Sequence, residues 1–282
     1  MKPAMLAQKL APLLPHLRCP ACHQGFILRE TSLVCPLGHC FDLSSRGYVN
    51  LAPNHDQAGD KYDAALFDSR RAALDFGVYA PAIQAVADAL RERFGDSAFS
   101  LADVGCGEGY YAREIARTFP SSTVVGLDLS RAAVRAAARE PGRAHWLVAD
   151  LKRMPLSDGF ADVVLDVLTP ADYAAFRRLL KPGGVLVKLI PGGDHLREIR
   201  AAVRQHLRAG DSYDNARVME HLQSNAHVLR RDTIRQTLAI PPSLREAVLR
   251  MTPMTFSVPP EALERIALSE LTVHMEMLLC SL

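Results

Sequence analysis

The stretch Leu101-Ala-Asp-Val-Gly-Cys-Gly-Glu-Gly-Tyr-Tyr111 decides how this chain folds. An apolar run over residues 99–104 leads into three glycines at alternate positions, and a helical pattern begins at Tyr110. Glycine reaches backbone conformations that other residues avoid, and it lets the backbone approach a ligand closely. The stretch therefore predicts a strand, a tight turn and the start of a helix, arranged for a ligand of nucleotide size.

The turn carries a carboxylate between its second and third glycines. The glycines are Gly105, Gly107 and Gly109, and the carboxylate belongs to Glu108. A negative charge here would repel the pyrophosphate of a dinucleotide, whereas it suits a ligand with a cationic centre. S-adenosylmethionine (SAM) carries a sulfonium and an ammonium, and the turn resembles motif I of the SAM-dependent methyltransferases. Such a turn is also found as a simple packing point, so the residues that follow must decide.

Two further apolar runs each end in an acidic residue. Residues 122–127 predict a second strand that ends at Asp128, and residues 144–149 predict a third that ends at Asp150. An acid about twenty residues after the glycine turn can accept hydrogen bonds from both ribose hydroxyls. Asp150 is then placed for the adenine amino group. Either acid could instead cap a helix, but two at successive strand ends favour a cofactor site.

The remaining strands complete the expected sheet. Residues 161–167 and 183–190 predict a fourth and a fifth strand, and residues 227–238 and 271–282 predict an antiparallel pair. Helical patterns separate these runs, as in folds built around a parallel sheet. The expected fold is α/β, a Rossmann-like class I SAM methyltransferase with a seven-stranded sheet and helices on both faces. A small module like a zinc ribbon precedes it.

Four metal-binding side chains lie near the N-terminus in two short motifs. The motifs are Cys19-Pro-Ala-Cys22 and Cys35-Pro-Leu-Gly-His39, with twelve residues between them. Cys19, Cys22, Cys35 and His39 would complete a tetrahedral structural zinc site. Cys40 is the alternative to His39, although neighbours on an extended chain point to opposite sides. So short a module cannot bury enough core alone, so we expect zinc to supply its folding free energy.

Composition excludes several classes of protein. The chain has 282 residues with a net charge of +2, so it lacks the overall basic character of a nucleic-acid binder, and any RNA surface must be local. Its N-terminus does not resemble a signal peptide, and no apolar run reaches transmembrane length. Four of the six cysteines lie close together within residues 19–40, which favours a metal site in a reduced, cytoplasmic protein.

The N-terminal motifs and the glycine turn together identify a family. Cys35-Pro-Leu-Gly-His-Cys-Phe-Asp42, Arg46-Gly-Tyr-Val-Asn-Leu51 and the turn closely resemble the bacterial 23S rRNA (guanine-N1)-methyltransferases. Some members of that family confer resistance to macrolides such as tylosin. The similarity covers nearly the whole chain from residue 18, and residues 1–17 are expected to form an additional short helix. It continues through Gly59-Asp60, Ser69-Arg70-Arg71, Phe76-Gly-Val-Tyr-Ala-Pro81, Lys181-Pro-Gly-Gly184 and Pro191-Gly-Gly-Asp-His-Leu196.

The resemblance implies two cofactors, SAM and one structural zinc ion. Family members place a tyrosine at the position of Tyr79 against SAM, where an aromatic face beside a sulfonium is favourable. They place a SAM contact at the position of His195. The alternatives are a packing tyrosine and a solvent-exposed histidine. The expected SAM-binding residues are Tyr79, Asp103, Gly105, Gly107, Glu108, Gly109, Tyr110, Tyr111, Asp128, Leu129, Asp150, Leu151 and His195.

A carboxylate at the end of the fourth strand is the candidate catalytic base. N1 of guanine carries a proton at neutral pH and must lose it before its lone pair can attack. Ligands of such sheets meet residues at the carboxyl ends of the strands, where Asp166 begins the segment Asp166-Val-Leu-Thr-Pro170. Asp166 could accept the proton. Its alternative role is to cap the turn, and Asp172 is expected to cap the next helix.

We expect three regions in the chain. Residues 1–51 would form an N-terminal helix and a zinc-binding module that recognises RNA, and residues 52–81 a linker and helix. Residues 82–282 would form the methyltransferase domain and carry SAM independently of the module. The expected partner is a hairpin of 23S rRNA and not a membrane, with monomer and homodimer both open.

Two other functions compete with rRNA methylation. The same cofactor signals occur in small-molecule methyltransferases, and a non-catalytic SAM- or RNA-binding protein would keep them too. A metabolite enzyme has little use for a zinc module ahead of its sheet, which favours the RNA enzyme.

Overall fold

The structure is a computed structural model that describes residues 2–53, 64–206 and 215–282. Gly59-Asp60 and most of the expected linker lie outside these ranges. The strands are β1 (Ile27–Arg29), β2 (Ser32–Val34), β3 (Cys40–Asp42), β4 (Val49–Asn50), β5 (Ser100–Val104), β6 (Thr123–Asp128), β7 (His145–Val148), β8 (Ala161–Val167), β9 (Leu180–Pro191), β10 (His227–Ala239) and β11 (Glu270–Ser281). The helices are α1 (Pro3–Leu10), α2 (Ala64–Asp75), α3 (Ala80–Phe94), α4 (Tyr110–Thr118), α5 (Arg131–Ala137), α6 (Tyr173–Leu179), α7 (Arg197–Ala202), α8 (Ala216–Gln223), α9 (Arg245–Arg250) and α10 (Pro260–Glu264).

The central sheet has the strand order β10-β11-β9-β8-β5-β6-β7-β4. Strands β5 to β9 run parallel, and β11 lies antiparallel between β9 and β10. The first seven strands in this order are the predicted ones, so the expected class I methyltransferase sheet is confirmed. The eighth is β4, which the sequence did not predict as part of this sheet. Its Val49 pairs with Leu147 of β7, in parallel.

The parallel strands form where apolar runs are continuous, because helices cover both of their faces. All four residues of β7 are buried, as are Leu101 to Val104 in β5. The predicted helix cap at Asp172 is confirmed, since its carboxylate accepts from the backbone N–H of Ala175 at 3.0 Å. Among the described residues, no helix combines the length and the apolar character needed to cross a membrane.

The N-terminal helix packs on the methyltransferase sheet. Leu6 and Leu10 of α1 belong to one hydrophobic cluster with Val104, Leu127 and sheet residues around them. Nζ of Lys9 donates to the carbonyl of Ala144 at 2.6 Å, and burial lowers the pKa of this lysine to about 8. Residues 2–17 therefore complete one face of the sheet.

The zinc-binding segment shares that core. Phe26, Leu33 and Cys35 lie in the same cluster as Val125 and Leu147 of the sheet. The segment then continues into β4, the edge strand beside β7. This continuity argues against our expectation that the sheet carries its cofactor independently of the module, because unfolding of the module would uncover buried sheet residues.

Removal of the metal is expected to destabilise the whole chain. The substitution Cys22→Ser, or extraction with a chelator, should remove several kcal/mol and lower the midpoint of thermal unfolding by roughly 10 °C or more. Trp146, the one tryptophan, lies on β7 next to β4, so its fluorescence reports the sheet directly. Cys40→Ser, at an exposed neighbouring cysteine, is the control and should change neither zinc content nor midpoint. An unchanged Trp146 transition after zinc loss would contradict the shared core.

Candidate functional site

The glycine turn has no room for a larger residue at its first and third glycines. Gly105, Gly107 and Gly109 have φ angles of +74°, +56° and +78°, which other residues rarely adopt. A Cβ atom at Gly105 would lie 2.6 Å from Cγ2 of Thr169, and one at Gly109 would lie 2.4 Å from Cη2 of Trp146. The turn is therefore fixed by conformation and by packing, and its backbone lines the cavity beside it.

Asp128 holds this turn from the neighbouring strand. Its Oδ2 accepts from the backbone N–H of Gly107 at 2.9 Å, and its Oδ1 accepts from the N–H of Ser130 at 2.8 Å. Desolvation raises the pKa of this partly buried carboxyl, although the backbone donors oppose the shift. Asp128 also lines the cavity, so one side chain shapes the turn and faces any bound ligand.

The cavity has a volume of about 510 Å³ and brings together five of the predicted SAM-binding residues. A second, narrower cavity of about 30 Å³ lies beside the turn. A larger open groove of about 760 Å³ runs along α4 but contains only Tyr110 of the predicted residues. The first cavity is lined by Tyr79, Gly105, Gly107, Asp128 and His195, and the second by Tyr79, Asp103, Gly105, Glu108, Tyr110 and Tyr111.

Four predicted residues do not line either cavity. These are Gly109, Leu129, Asp150 and Leu151. The carboxylate of Asp150 accepts from the backbone N–H of Lys152 at 3.0 Å, which is the capping role that the sequence left as its alternative. Its contact with adenine stays a prediction.

The turn is surrounded by carboxylates. Asp103 is 2% exposed, and burial raises its pKa to about 8, helped by the nearby Asp128, Glu108 and Asp166. Glu108 is also buried, and its Oε2 lies 3.5 Å from Nε of Arg70. The sequence expected Glu108 to meet a cationic ligand and missed this arginine, which lies on α2 and lines both cavities.

Asp166 is fully buried behind the cavity. Its Oδ2 accepts from Nζ of Lys188 at 2.6 Å, and its Oδ1 accepts from Oγ1 of Thr169 at 2.7 Å. Burial raises the pKa of Asp166, and Lys188 opposes this shift. Lys188 is a lysine within an apolar strand, which is a signal that the sequence analysis did not use. Thr169 lines the cavity, whereas Asp166 does not.

Tyr79 and His195 form a buried pair. Their rings stack with centroids 5.9 Å apart, and Oη of Tyr79 lies 3.3 Å from Nε2 of His195. The backbone N–H of His274 donates to Nδ1 of His195 at 3.3 Å. Burial lowers the pKa of His195 to about 4, so the imidazole is neutral at pH 7. The predicted alternative of a solvent-exposed histidine does not match this geometry.

One wall of the cavity had no local signal in the sequence. It is formed by Met251-Thr-Pro-Met254, between α9 and α10, together with Phe67 of α2. These segments reach the site only because the chain folds back over the carboxyl ends of the strands. Apart from Thr252 they are apolar, and they suit a planar ring.

The four predicted metal ligands lie together. The ligand atoms of Cys19, Cys22, Cys35 and His39 are all within 4.8 Å of one another. Sγ of Cys22 and Sγ of Cys35 are 3.6 Å apart, and Sγ of Cys35 is 3.2 Å from Nδ1 of His39. A tetrahedral zinc with bonds of about 2.3 Å to sulfur needs ligand separations near these values. Three thiolates and one imidazole therefore fit a closed structural zinc site.

The fold and the site define a class of protein: a SAM-dependent class I methyltransferase with an N-terminal zinc ribbon. A family model described as a methyltransferase domain matches residues 101–184, and a zinc-ribbon model described as "RlmA, N-terminal" matches residues 17–58. A SAM-dependent methyltransferase of Aquifex aeolicus aligns with a TM-score of 0.42 at 13% identity, covering 69% of this chain and 88% of that one.

Relatives identify the family. The 23S rRNA (guanine(748)-N(1))-methyltransferase of Streptomyces fradiae is 34% identical over 89% of each chain. The Bacillus subtilis protein YxjB, provisionally named as a 23S rRNA (guanine-N(1)-)-methyltransferase, is 31% identical over 93% of this chain and 95% of its own. The chain belongs to the family of 23S rRNA (guanine-N1)-methyltransferases.

Asp128→Asn is expected to weaken SAM binding at least about tenfold without unfolding the protein. The amide turns one acceptor into a donor against the N–H groups of Gly107 and Ser130, and charge-assisted bonds to a ligand are lost at roughly 1.5–3 kcal/mol each. Calorimetry measures the affinity. Asp172→Asn, which changes a carboxylate that caps α6, is the matched control and should bind SAM normally. Equal affinities in the two folded variants would show that Asp128 has no part in binding SAM.

Proposed function

We propose that this protein transfers the methyl group of SAM to N1 of a guanine in a hairpin loop of 23S rRNA. The observation that carries the proposal is the zinc ribbon built onto the methyltransferase sheet, in a chain that matches rRNA methyltransferases over nearly its full length. Ribosomal RNA as the substrate also supports a cytoplasmic location.

The chain offers a separate place for each part of the cofactor. We assign the ribose to Asp128 and the adenine to the vicinity of Leu129, Asp150 and Leu151. The narrow cavity with Asp103 and Glu108 suits the positively charged end. When bound, SAM supplies a methyl group activated by its sulfonium. The residues of the chain then have to align the acceptor and remove its proton.

The acceptor base would enter beside the 167–170 segment. Sequence-specific RNA recognition usually takes unstacked bases from loops, and enzymes that modify a base remove it from the stack. Leu168 is partly exposed with a φ of +56°, so it is held in an unfavourable conformation next to the cavity. The Met251–Met254 wall faces the same cavity. We place the purine ring of the target guanine between these two surfaces.

Asp166 stays our candidate for the final acceptor of the N1 proton, and its geometry suggests how. It is buried, so its carboxylate reaches the cavity only through Thr169, whose hydroxyl donates to it. N1–H can donate to Oγ1 of Thr169 while that hydroxyl passes its own proton to Asp166. Lys188 then holds the other carboxylate oxygen in place.

Label transfer tests the function directly. Radiolabelled SAM and the purified protein are incubated with total rRNA from cells lacking the gene, and in parallel with a small-molecule extract. We expect label in 23S rRNA, and mass mapping should place it on N1 of one guanine. Label in the extract alone would favour the small-molecule enzyme, and SAM binding without any transfer would favour the non-catalytic alternative. Sedimentation of the same preparation distinguishes a monomer from a homodimer.

Asp166→Asn should lower the single-turnover rate by about 10²–10⁴-fold at neutral pH, because asparagine cannot accept a proton. Thr169→Val should show a similar loss if the hydroxyl relays that proton. Both deficits should shrink as the pH rises and N1 ionises without assistance. Rates measured across pH on an rRNA hairpin decide the question. Wild-type rates in either variant would remove that residue from the relay, and a loss constant at every pH would indicate positioning alone.

A further inference from the structure

Tyr79 occupies the junction of the two cavities. It lines the narrow cavity beside Asp103 and Glu108, and it also lines the wide cavity beside Thr169 and His195. The narrow cavity suits the charged end of the cofactor and the wide one suits the base. A group at the junction of the two cavities therefore lies close to the point of methyl transfer from SAM to the guanine. Tyr79 as a whole is 8% exposed.

The hydrogen bonds around His195 fix the direction of the Tyr79 hydroxyl. A neutral imidazole has one donor nitrogen and one acceptor nitrogen. The backbone N–H of His274 donates to Nδ1 of His195, and on this contact we assign the ring proton to Nε2. Nε2 therefore donates to Oη of Tyr79, 3.3 Å away. The hydroxyl hydrogen of Tyr79 is then left for another acceptor, and the described residues give it no second partner.

His274, whose backbone N–H donates to His195, is itself held in place by two further contacts. His274 lies on β11, and its own Nδ1 accepts from the backbone N–H of Asp194 at 3.2 Å. Its ring packs so closely on Gly192 that a Cβ atom there would lie 2.4 Å from the imidazole. The orientation of His195, and through it that of Tyr79, is thus set by the backbone of the sheet.

We propose that the hydroxyl of Tyr79 donates a hydrogen bond to O6 of the target guanine during methyl transfer, and that His195 positions it. This inference rests on the proposed function. When N1 loses its proton, the negative charge is shared with O6. A fixed donor at that oxygen stabilises the deprotonated base where its charge develops, which is the action of an oxyanion hole.

The step balances. The N1–H bond breaks and its proton passes through Thr169 to Asp166, and the N1 electron pair forms a bond to the methyl carbon. The carbon–sulfur bond breaks, and its electrons stay on sulfur, which becomes a neutral thioether. The guanine ends uncharged. Tyr79 keeps its proton throughout, because burial raises its pKa to about 12.

The two arginines of the wide cavity are less suitable donors. Arg200 donates to the carbonyls of Gly193 and His195, and Arg70 faces Glu108. Both arginines therefore have structural partners, whereas the Tyr79 hydroxyl hydrogen is uncommitted in the described structure.

Tyr79→Phe tests the proposal because it keeps the aromatic ring and removes only the hydroxyl. At saturating SAM and RNA, the single-turnover rate at neutral pH should fall about 10²-fold, the usual effect of removing one oxyanion-hole donor. SAM affinity should change less than about threefold, since the ring face remains. Tyr173→Phe, at a buried hydroxyl outside both cavities, is the matched control and should keep the wild-type rate. Weaker SAM binding with an unchanged rate would mean that Tyr79 donates to the cofactor, and would overturn the proposal.

A modified RNA identifies the acceptor atom. In an rRNA hairpin with 6-thioguanosine at the target position, sulfur replaces O6 and accepts hydrogen bonds only weakly. The deficit of Tyr79→Phe relative to wild type should shrink below about tenfold on this RNA. A deficit equal to that on the normal hairpin would exclude O6 as the acceptor. Absence of any N1 methylation by the wild-type protein would instead defeat the proposed function itself.

His195 is tested by coupling. His195→Phe keeps a ring to stack on Tyr79 but removes the Nε2 donor, so it should slow the chemical step about tenfold. The double variant Tyr79→Phe/His195→Phe should be no slower than Tyr79→Phe alone, because His195 acts through the hydroxyl that is already missing. Losses that multiply would mean that His195 contributes only to packing.

Discussion

The properties of the site depend on the carboxylates that are buried around the glycine turn. Asp103, Glu108 and Asp166 are buried around it, and Asp128 is partly buried beside them. Burial of a charge is costly unless a partner compensates it. Among the described residues, Arg70 compensates Glu108 and Lys188 compensates Asp166. Asp103 instead keeps its proton to about pH 8. The site thus holds more acid than base, and a cationic ligand supplies the missing positive charge.

The zinc ribbon is joined to the edge of the central sheet through strand β4. Strand β4 pairs with Leu147 and Val148 at the end of β7. Ala149 and Asp150 come immediately after that strand. The backbone N–H of Leu51 also donates to the carbonyl of Val148 at 2.9 Å. A metal that folds the ribbon therefore also supports the strand before the acid that we assign to the adenine. The zinc ribbon and the methyltransferase sheet share one folding unit.

Local sequence patterns predicted the features that depend on residues close together in the chain, namely the strands and the metal cluster. Apolar runs predicted the strands because a covered parallel sheet is buried on both faces, and the spacing of cysteines predicted the metal cluster because two short motifs bring four ligands together. The sequence did not predict the site roles of Arg70, Lys188 and the Met251–Met254 wall, because each of them meets the site through residues that are distant in the sequence. Lys188 lies 22 positions from Asp166 along the chain but 2.6 Å from it in space. Strand β4 was missed for a different reason: its two residues are too few to show a periodic pattern.

The excess of acidic residues also limits which interactions can accelerate methyl transfer. Carboxylates around a cation stabilise the charged cofactor before the reaction, and this stabilisation is lost as the sulfonium becomes a neutral thioether. Interactions that are stronger in the ground state than in the transition state do not accelerate a reaction. In the proposed function, the acids therefore secure affinity for the cofactor and favour release of the neutral product. Acceleration has to come from the guanine, where negative charge appears on N1 and O6 as the reaction proceeds. Neutral donors and relays, such as the hydroxyls of Tyr79 and Thr169, suit that side of the site. In the roles that we propose, they would stabilise the developing charge without weakening the interaction between the carboxylates and the cofactor.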